Sequence, residues 1–306
     1  MTVARTAEGT AGRDEVAAVR ASVLAWYEPR RRAYPWREEK PDPYRTLVSE
    51  VMLQQTQADR VVPAYVEFIR LFPSVASLAA ATAADVVRAW GSLGYPRRAL
   101  NLRRAAEAMM IDHGGAVPEA RESLEALPGV GPYTAAAVRS IGHGDAVPAV
   151  DTNVARVVAR ASLGAEPHQA GAKRIVAAAA AWLDPDRSGD WNQALMDLGR
   201  EVCRPAPRCG VCPLAWRCRF GRGAPLERDR ARPHVPYRGS AREARGAVLR
   251  ALRRADPQTL ASVVRASGLP HDRLVPAVHS LHRDGLLEAS VAALRGSGRG
   301  KVRLTR

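Results

Sequence analysis

The sequence predicts a mainly α protein built around a central helix–hairpin–helix turn, followed by a small C-terminal winged-helix-like α+β domain. Two observations lead there. Apolar residues recur at helical spacing in run after run from residue 15 to about 202, with only short links between runs. The stretch LPGVGPYTA, Leu127 to Ala135, then places two glycines and a proline where two helices would meet at a tight turn.

Taken in order, residues 1–14 carry no apolar pattern and are expected to be disordered. A helix is expected through EVAAVRASVLAWYEPRR, with Val16, Val19, Val23, Leu24 and Trp26 on one side. Tyr34-Pro35-Trp36-Arg37 reads as extended, because the residue before a proline avoids the helical region. YRTLVSEVMLQQTQADRVV reads as one strong helix, with Glu50 the lone acid at its centre among apolar and amide neighbours. A partly desolvated carboxyl there would hold its proton near neutral pH, whereas on a solvated face Glu50 would be an ordinary surface acid. Shorter helices follow, broken at Pro73, at GSLGYP and at Pro118. Tyr95 in the second break either packs inside or wedges into a base stack.

At the hairpin, Gly129 and Gly131 permit the turn and Pro132 suits the first position of the next helix. Backbone N–H groups left pointing outward there form an anion site, although two glycines can equally serve only to join packed helices. Asp151 precedes the periodic run VARVVARASLG, where an N-cap belongs. A phosphate-holding turn followed by a carboxylate suggests chemistry on DNA.

All four cysteines, Cys203, Cys209, Cys212 and Cys218, are separated by five, two and five residues. Such clustering in a chain without a secretory signal argues for metal over disulfides. Zinc and an iron–sulfur cluster both remain open, and the single Cys-x-x-Cys favours a [4Fe–4S] cluster. It would stiffen a loop carrying Arg204, Arg208, Arg217 and Arg219 for phosphate contact. Residues 221–240 lack apolar period and read as a linker. Residues 241–306 offer three helices and two strands, a pattern that either enters a DNA groove or serves docking or dimerisation; Pro276 inside the third helix weakens the groove reading.

Composition agrees with this outline. With 46% hydrophobic and 25% charged residues, the 306-residue chain has the makeup of a globular protein with room for two domains. No run approaches a membrane span and the N-terminus lacks a signal-peptide core, so the expected location is cytoplasmic, with the nucleoid. A net charge of +15 points to a polyanion. An arginine-rich source genome would scatter such charge too, and only Lys40, Lys173 and Lys301 are lysines.

Together, Tyr34-Pro-Trp-Arg37, SEVMLQQTQ (49–57), LPGVGPYTA (127–135), VDTNVARV (150–157) and the four cysteines resemble the MutY family of adenine DNA glycosylases, in the helix–hairpin–helix superfamily that includes endonuclease III. The resemblance implies a helical barrel plus an iron–sulfur helical domain over residues 15–220, with the cluster loop at 203–218. It implies that Glu50 is the catalytic acid, that Asp151 with its neighbour Asn153 is the second catalytic group, and that Trp36, Arg37 and Leu53 line a pocket for extruded adenine. Gln54, Gln55, Tyr95 and the turn residues Gly129, Val130, Gly131 and Thr134 are expected to contact DNA. Tyr133 occupies the place where bifunctional relatives carry a Schiff-base lysine, so a monofunctional hydrolysis is expected. The implied partner of this monomer is double-stranded DNA with adenine opposite 8-oxoguanine or guanine. A thymine or uracil mismatch glycosylase on the same scaffold and a non-catalytic iron–sulfur DNA-binding regulator are the rival readings. Three features depart from the family: five rather than six residues between Cys203 and Cys209, Thr152 where many members have glycine, and no recognisable Nudix-like domain. The tail instead resembles that of actinobacterial members.

Overall fold

The computed structural model describes residues 3–220 and 236–306, with the backbone alone given for residues 3–12. The expected linker therefore lies largely outside the described residues. Its chain divides into two compact units, one of Met1–Glu50, Pro118–Ala126 and Val130–Arg230, the other of Val51–Val117, Leu127–Gly129 and Ala231–Arg306. No described helix is long and apolar enough to cross a membrane.

In the first unit, the Val3–Tyr27 helix packs Val19, Val23 and Tyr27 against Val154, Val157 and Val158 of the Thr152–Val158 helix and Trp191, Leu195 and Leu198 of the Ser188–Glu201 helix. Each such large side chain contributes roughly 1.5–3 kcal/mol when fully buried. The first helix begins at Val3, inside the stretch expected to be disordered; its alanines, arginines and glutamate are good helix formers even without an apolar stripe. Gly199 lets two of these helices touch, since a Cβ there would lie 2.6 Å from the Cβ of Asn153.

Tyr34-Pro35-Trp36-Arg37 is a turn rather than an extended segment. The Arg37 N–H donates to the Tyr34 carbonyl at 2.9 Å, with Pro35 at the second position where its fixed φ suits a turn. The expected single helix over residues 44–62 is also two helices, Pro43–Leu53 and Ala58–Leu71, with Gln55 at φ 56° between them.

In the second unit, Tyr65, Phe68, Leu78 and Trp90 form a buried group, with Phe68 edge-on to both Phe72 and Trp90. Residues 241–306 supply most of one hydrophobic core, and that core is not theirs alone. Leu249, Leu252, Leu274, Val278 and Leu281 join one cluster with Ala83, Ala84, Val87 and Leu100. The buried faces of the Ala241–Arg254 and His271–Arg283 helices share this cluster, so the expected separate domain is joined to its neighbour. Three strands, not two, complete this region: β1 (Gln258–Thr259), β2 (Leu287–Ala289) and β3 (Lys301–Leu304), antiparallel in the order β1-β3-β2. Val302 and Leu304 of β3 point inward, and Glu288 pairs opposite Arg303, whose Nε donates to it at 2.9 Å. The His271–Arg283 helix runs through Pro276 unbroken, with the proline on its exposed side.

Candidate active site

Glu50 lies in the Pro43–Leu53 helix with only 7% of its surface exposed. The partner that meets it is a phenol: Tyr133 Oη donates to Glu50 Oε2 at 2.9 Å. Burial pushes the Glu50 carboxyl up to about 7, the Tyr133 hydrogen bond opposes the rise, and the nearby Asp151 charge adds to it. Tyr133 is itself raised well above the usual phenol range, first by burial and then by the Glu50 and Asp151 charges.

Asp151 caps the Thr152–Val158 helix, as expected. Its Oδ1 accepts from the Asn153 N–H at 2.9 Å and the Val154 N–H at 2.7 Å, while Oδ2 accepts from Asn153 Nδ2 at 2.8 Å. Burial raises this carboxyl, and those three donors oppose the rise by favouring the ionised form. The chain approaches Asp151 along a segment held by buried Asn192. The Ala149 N–H donates to Asn192 Oδ1 at 2.9 Å, and Asn192 Nδ2 donates to the Val147 carbonyl at 3.0 Å. Asn153 Oδ1 accepts in turn from Arg156 Nη2 at 2.9 Å, and Arg156 Nε donates to the Cys203 carbonyl. The Asp151 cap is thus braced from the first cysteine.

Trp36 is buried and stacks on Tyr34, with ring centroids 4.9 Å apart. Arg37 is buried too, and its fork closes on Asp197 of the Ser188–Glu201 helix at 2.8 and 3.0 Å. Asp197 also meets Arg200 at 2.9 Å. Sequence reasoning missed Asp197; the available signal was an acid on the apolar side of WNQALMDLGREVC.

In the hairpin, Gly129 has φ 84° and a Cβ there would lie 2.9 Å from Asn101, so glycine is required twice over. Gly131 is different from expectation. With φ −101° and ψ 178° it is extended backbone that any residue adopts, and nothing stands within 4 Å of where its Cβ would be. Pro132 opens the Pro132–Ala137 helix as expected. Val130 and Thr134 are buried, so their contribution to a DNA contact would come from backbone amides. Leu53, Gln54, Gln55, Tyr95 and Gly129 belong to the second unit, and among them Gln55, Tyr95 and Gly129 are exposed.

Comparisons with known proteins place the chain in a family. The model of the HhH-GPD superfamily base excision DNA repair proteins matches residues 48–182. The adenine DNA glycosylase of Mycobacterium tuberculosis is 42% identical over 285 residues, covering 90% of this chain and 93% of that protein. This chain belongs to the MutY family of adenine DNA glycosylases. Human adenine DNA glycosylase is 41% identical over 67% of this chain and 40% of its own length. The mycobacterial match therefore reaches into residues 241–306. Among solved structures, a thermostable thymine-DNA glycosylase superposes with a TM-score of 0.63 at 28% identity, covering 68% of this chain and 97% of that one. A non-covalent endonuclease III–DNA complex has a TM-score of 0.56 at 22% identity, covering 67% and 95%, a likeness of fold.

The four cysteines form no disulfide and line one cavity, together with apolar Val157, Leu198 and Leu214. Burial raises the Cys203 thiol and pushes Cys212 up to about 11. Among the described residues no three His, Cys, Asp or Glu side chains converge on a single ion. A four-iron cluster is a wider object, and four thiols around one apolar cavity fit it better than they fit zinc. Of the four arginines expected to reach phosphate, Arg204, Arg208 and Arg219 are exposed. Arg217 is not: it is buried against Trp182 and paired with Glu15 at 2.6 Å, because its loop folds back onto the first helix.

Proposed function

We propose that this chain removes adenine from duplex DNA where the adenine stands opposite 8-oxoguanine or guanine. It is a DNA N-glycosylase of base excision repair by its family. The observation that carries the finer reading is the pair of dissimilar carboxyls: Glu50 buried against a phenol and titrating at about 7, Asp151 held by three N–H donors. In this reading Tyr133 donates to Glu50 Oε2, and the proton on the other oxygen passes to N7 of an extruded adenine. The N-glycosidic bond breaks, its electrons leave with the base, and Asp151 stabilises the oxocarbenium charge left on the sugar. Water adds to the sugar carbon and loses a proton, leaving an abasic site. Tyr133 has no amine, so no Schiff base forms and the backbone stays intact. Asn153 orients Asp151, and Trp36, Arg37 and Leu53 bound the base. Gln54, Gln55, Tyr95 and the Gly129–Gly131 turn with Thr134 contact the duplex. Cys203, Cys209, Cys212 and Cys218 would hold a [4Fe–4S] cluster, which supplies a covalent cross-brace for the loop.

The test is a duplex panel of A:8-oxoguanine, A:G, T:G and U:G pairs, treated with alkali to reveal abasic sites. Strand breaks confined to the two adenine duplexes are expected. Breaks in the T:G or U:G lanes instead would transfer the reading to a thymine or uracil glycosylase. Intact DNA in every lane would leave only a binding protein.

A further inference from the structure

Among the described residues, two that are not glycine have φ in the left-handed region: Gln55 at 56° and Tyr95 at 44°. Side chains with a Cβ resist that conformation, so surrounding bonds must impose it. Both residues are exposed, Tyr95 to 47%, and each sits in a short break between helices, forty positions apart in the chain. One side chain reaches both breaks.

That side chain is Arg98. Its Nη1 is shared by the carbonyls of Val51 at 2.8 Å, Met52 at 3.0 Å and Gln54 at 2.6 Å, the acceptors left at the end of the Pro43–Leu53 helix. Its Nη2 donates to the Thr56 hydroxyl at 3.1 Å, the Gly94 carbonyl at 3.3 Å and the Leu93 carbonyl at 3.5 Å. The guanidinium also lies over the rings of Trp90 and Tyr95, 5.2 and 5.6 Å from their centroids. By taking the carbonyls before Gln55 and the Thr56 hydroxyl after it, it stops the helix that the sequence pattern would otherwise continue. The Tyr95 loop is held from further sides as well. Arg253 donates to the Gly91 carbonyl, Arg60 donates to Ser92 at 3.2 Å, and the Trp90 indole donates to Gly94 at 3.0 Å. Four successive carbonyls, 91 to 94, are thereby fixed from four elements, and Tyr95 follows at once. Burial lowers the Arg98 pKa to about 10, which leaves the cation in place at neutral pH.

We propose that Arg98 is a positioning residue that locks Gln55 and Tyr95 in one register, so that both enter a DNA duplex together beside an extruded nucleotide. This rests on the glycosylase reading above. An aromatic side chain presented by a saturated loop can part a base stack without first paying to order itself, and an amide beside it can meet the polar edges exposed. Arg253 belongs to the C-terminal region, so that region reaches the wedge through the same loop.

The test separates opening of the duplex from chemistry on the base. Single-turnover adenine release is measured on a fully paired duplex and on the same sequence with the adenine already unpaired in a bubble. Arg98→Met is expected to slow release from the paired substrate about tenfold while changing release from the bubble by less than about twofold. Adding Tyr95→Ala to Arg98→Met should slow the paired substrate no further, because both changes remove one device. Equal loss on both substrates, or additive loss in the double variant, overturns the proposal. Arg98→Lys keeps the charge and stem but reaches the carbonyls of one break only. It should show the same split between substrates, which keeps the test open if Arg98→Met fails to fold. A readout without catalysis is 2-aminopurine fluorescence beside the target site, taken in the Glu50→Gln background. Arg98→Met should lose most of the unstacking signal on binding, and an unchanged signal overturns the proposal. If the wild-type chain releases no adenine from either substrate, the glycosylase reading fails, and the fluorescence arm still judges Arg98.

Discussion

Glu50 and Asp197 are both acids buried in the first unit, 7% and 3% exposed, and their surroundings make opposite use of them. Asp197 receives a bidentate guanidinium from Arg37 and a second from Arg200, so its charge is matched and fixed. Glu50 receives one phenolic hydroxyl, and the nearby carboxylate pushes against its ionisation. Burial alone therefore does not make an acid catalyst. The choice of partner does: a cation turns the buried carboxylate into a strut, and a phenol leaves it holding a proton near pH 7.

The largest effect that would break this contrast is on the chemistry. Glu50→Gln keeps the shape and removes the proton, so single-turnover excision should fall by roughly 10²–10⁴-fold while DNA binding persists. Turnover at the wild-type rate would reassign the acid. The same variant tests stability. The folded carboxyl titrates at about 7, above its ordinary value of 4.5, so its contribution to stability is full below 4.5 and is lost as pH rises through 7. Glu50→Gln should then gain up to about 3 kcal/mol on wild type at pH 8 and nothing at pH 4, seen as a pH-dependent gap in Tm.

At Asp197 the prediction is reversed. Asp197→Ala strands the Arg37 guanidinium in a buried site, which should lower stability by about 3–5 kcal/mol in chemical denaturation. Replacing both partners, Arg37→Met with Asp197→Leu, should restore much of that loss, since no unpaired charge remains. A single substitution without cost would show that the pair is solvated in solution, and the contrast with Glu50 would lose one side.

Much of this site was legible because its pieces are local. Asp151 before a periodic run reads as a cap, and Gly129 with Pro132 reads as a turn. Glu50 stood out as a lone acid on an apolar helix, although only the folded chain supplies Tyr133 as its partner. What could not be read depends on contacts between distant residues. The helix through residues 44–62 breaks at Gln55 because Arg98 takes the carbonyls that helical hydrogen bonds would use. Arg217 was grouped with exposed arginines because nothing in its loop reveals Glu15, some two hundred positions earlier. The separate C-terminal domain rests on a linker without apolar period and a pattern of helices and strands, and neither says which apolar faces find each other.

The smallest effect is also the sharpest test of the partner rule. Tyr133 lowers the Glu50 pKa by donating a hydrogen bond to the ionised form, against the larger effect of burial. Tyr133→Phe removes the donor and leaves the ring, so the Glu50 carboxyl should titrate above its present value of about 7. In wild type the excision rate should fall about tenfold per pH unit once pH exceeds that value, as the protonated fraction declines. In Tyr133→Phe the fall should begin at higher pH, with the plateau rate changed by only a few-fold, roughly the worth of one hydrogen bond. A descending limb displaced to lower pH would mean that the phenol favours the protonated acid, as an acceptor rather than a donor. The partner rule would then hold with its sign reversed, and Tyr133 would be the group that keeps the proton on Glu50.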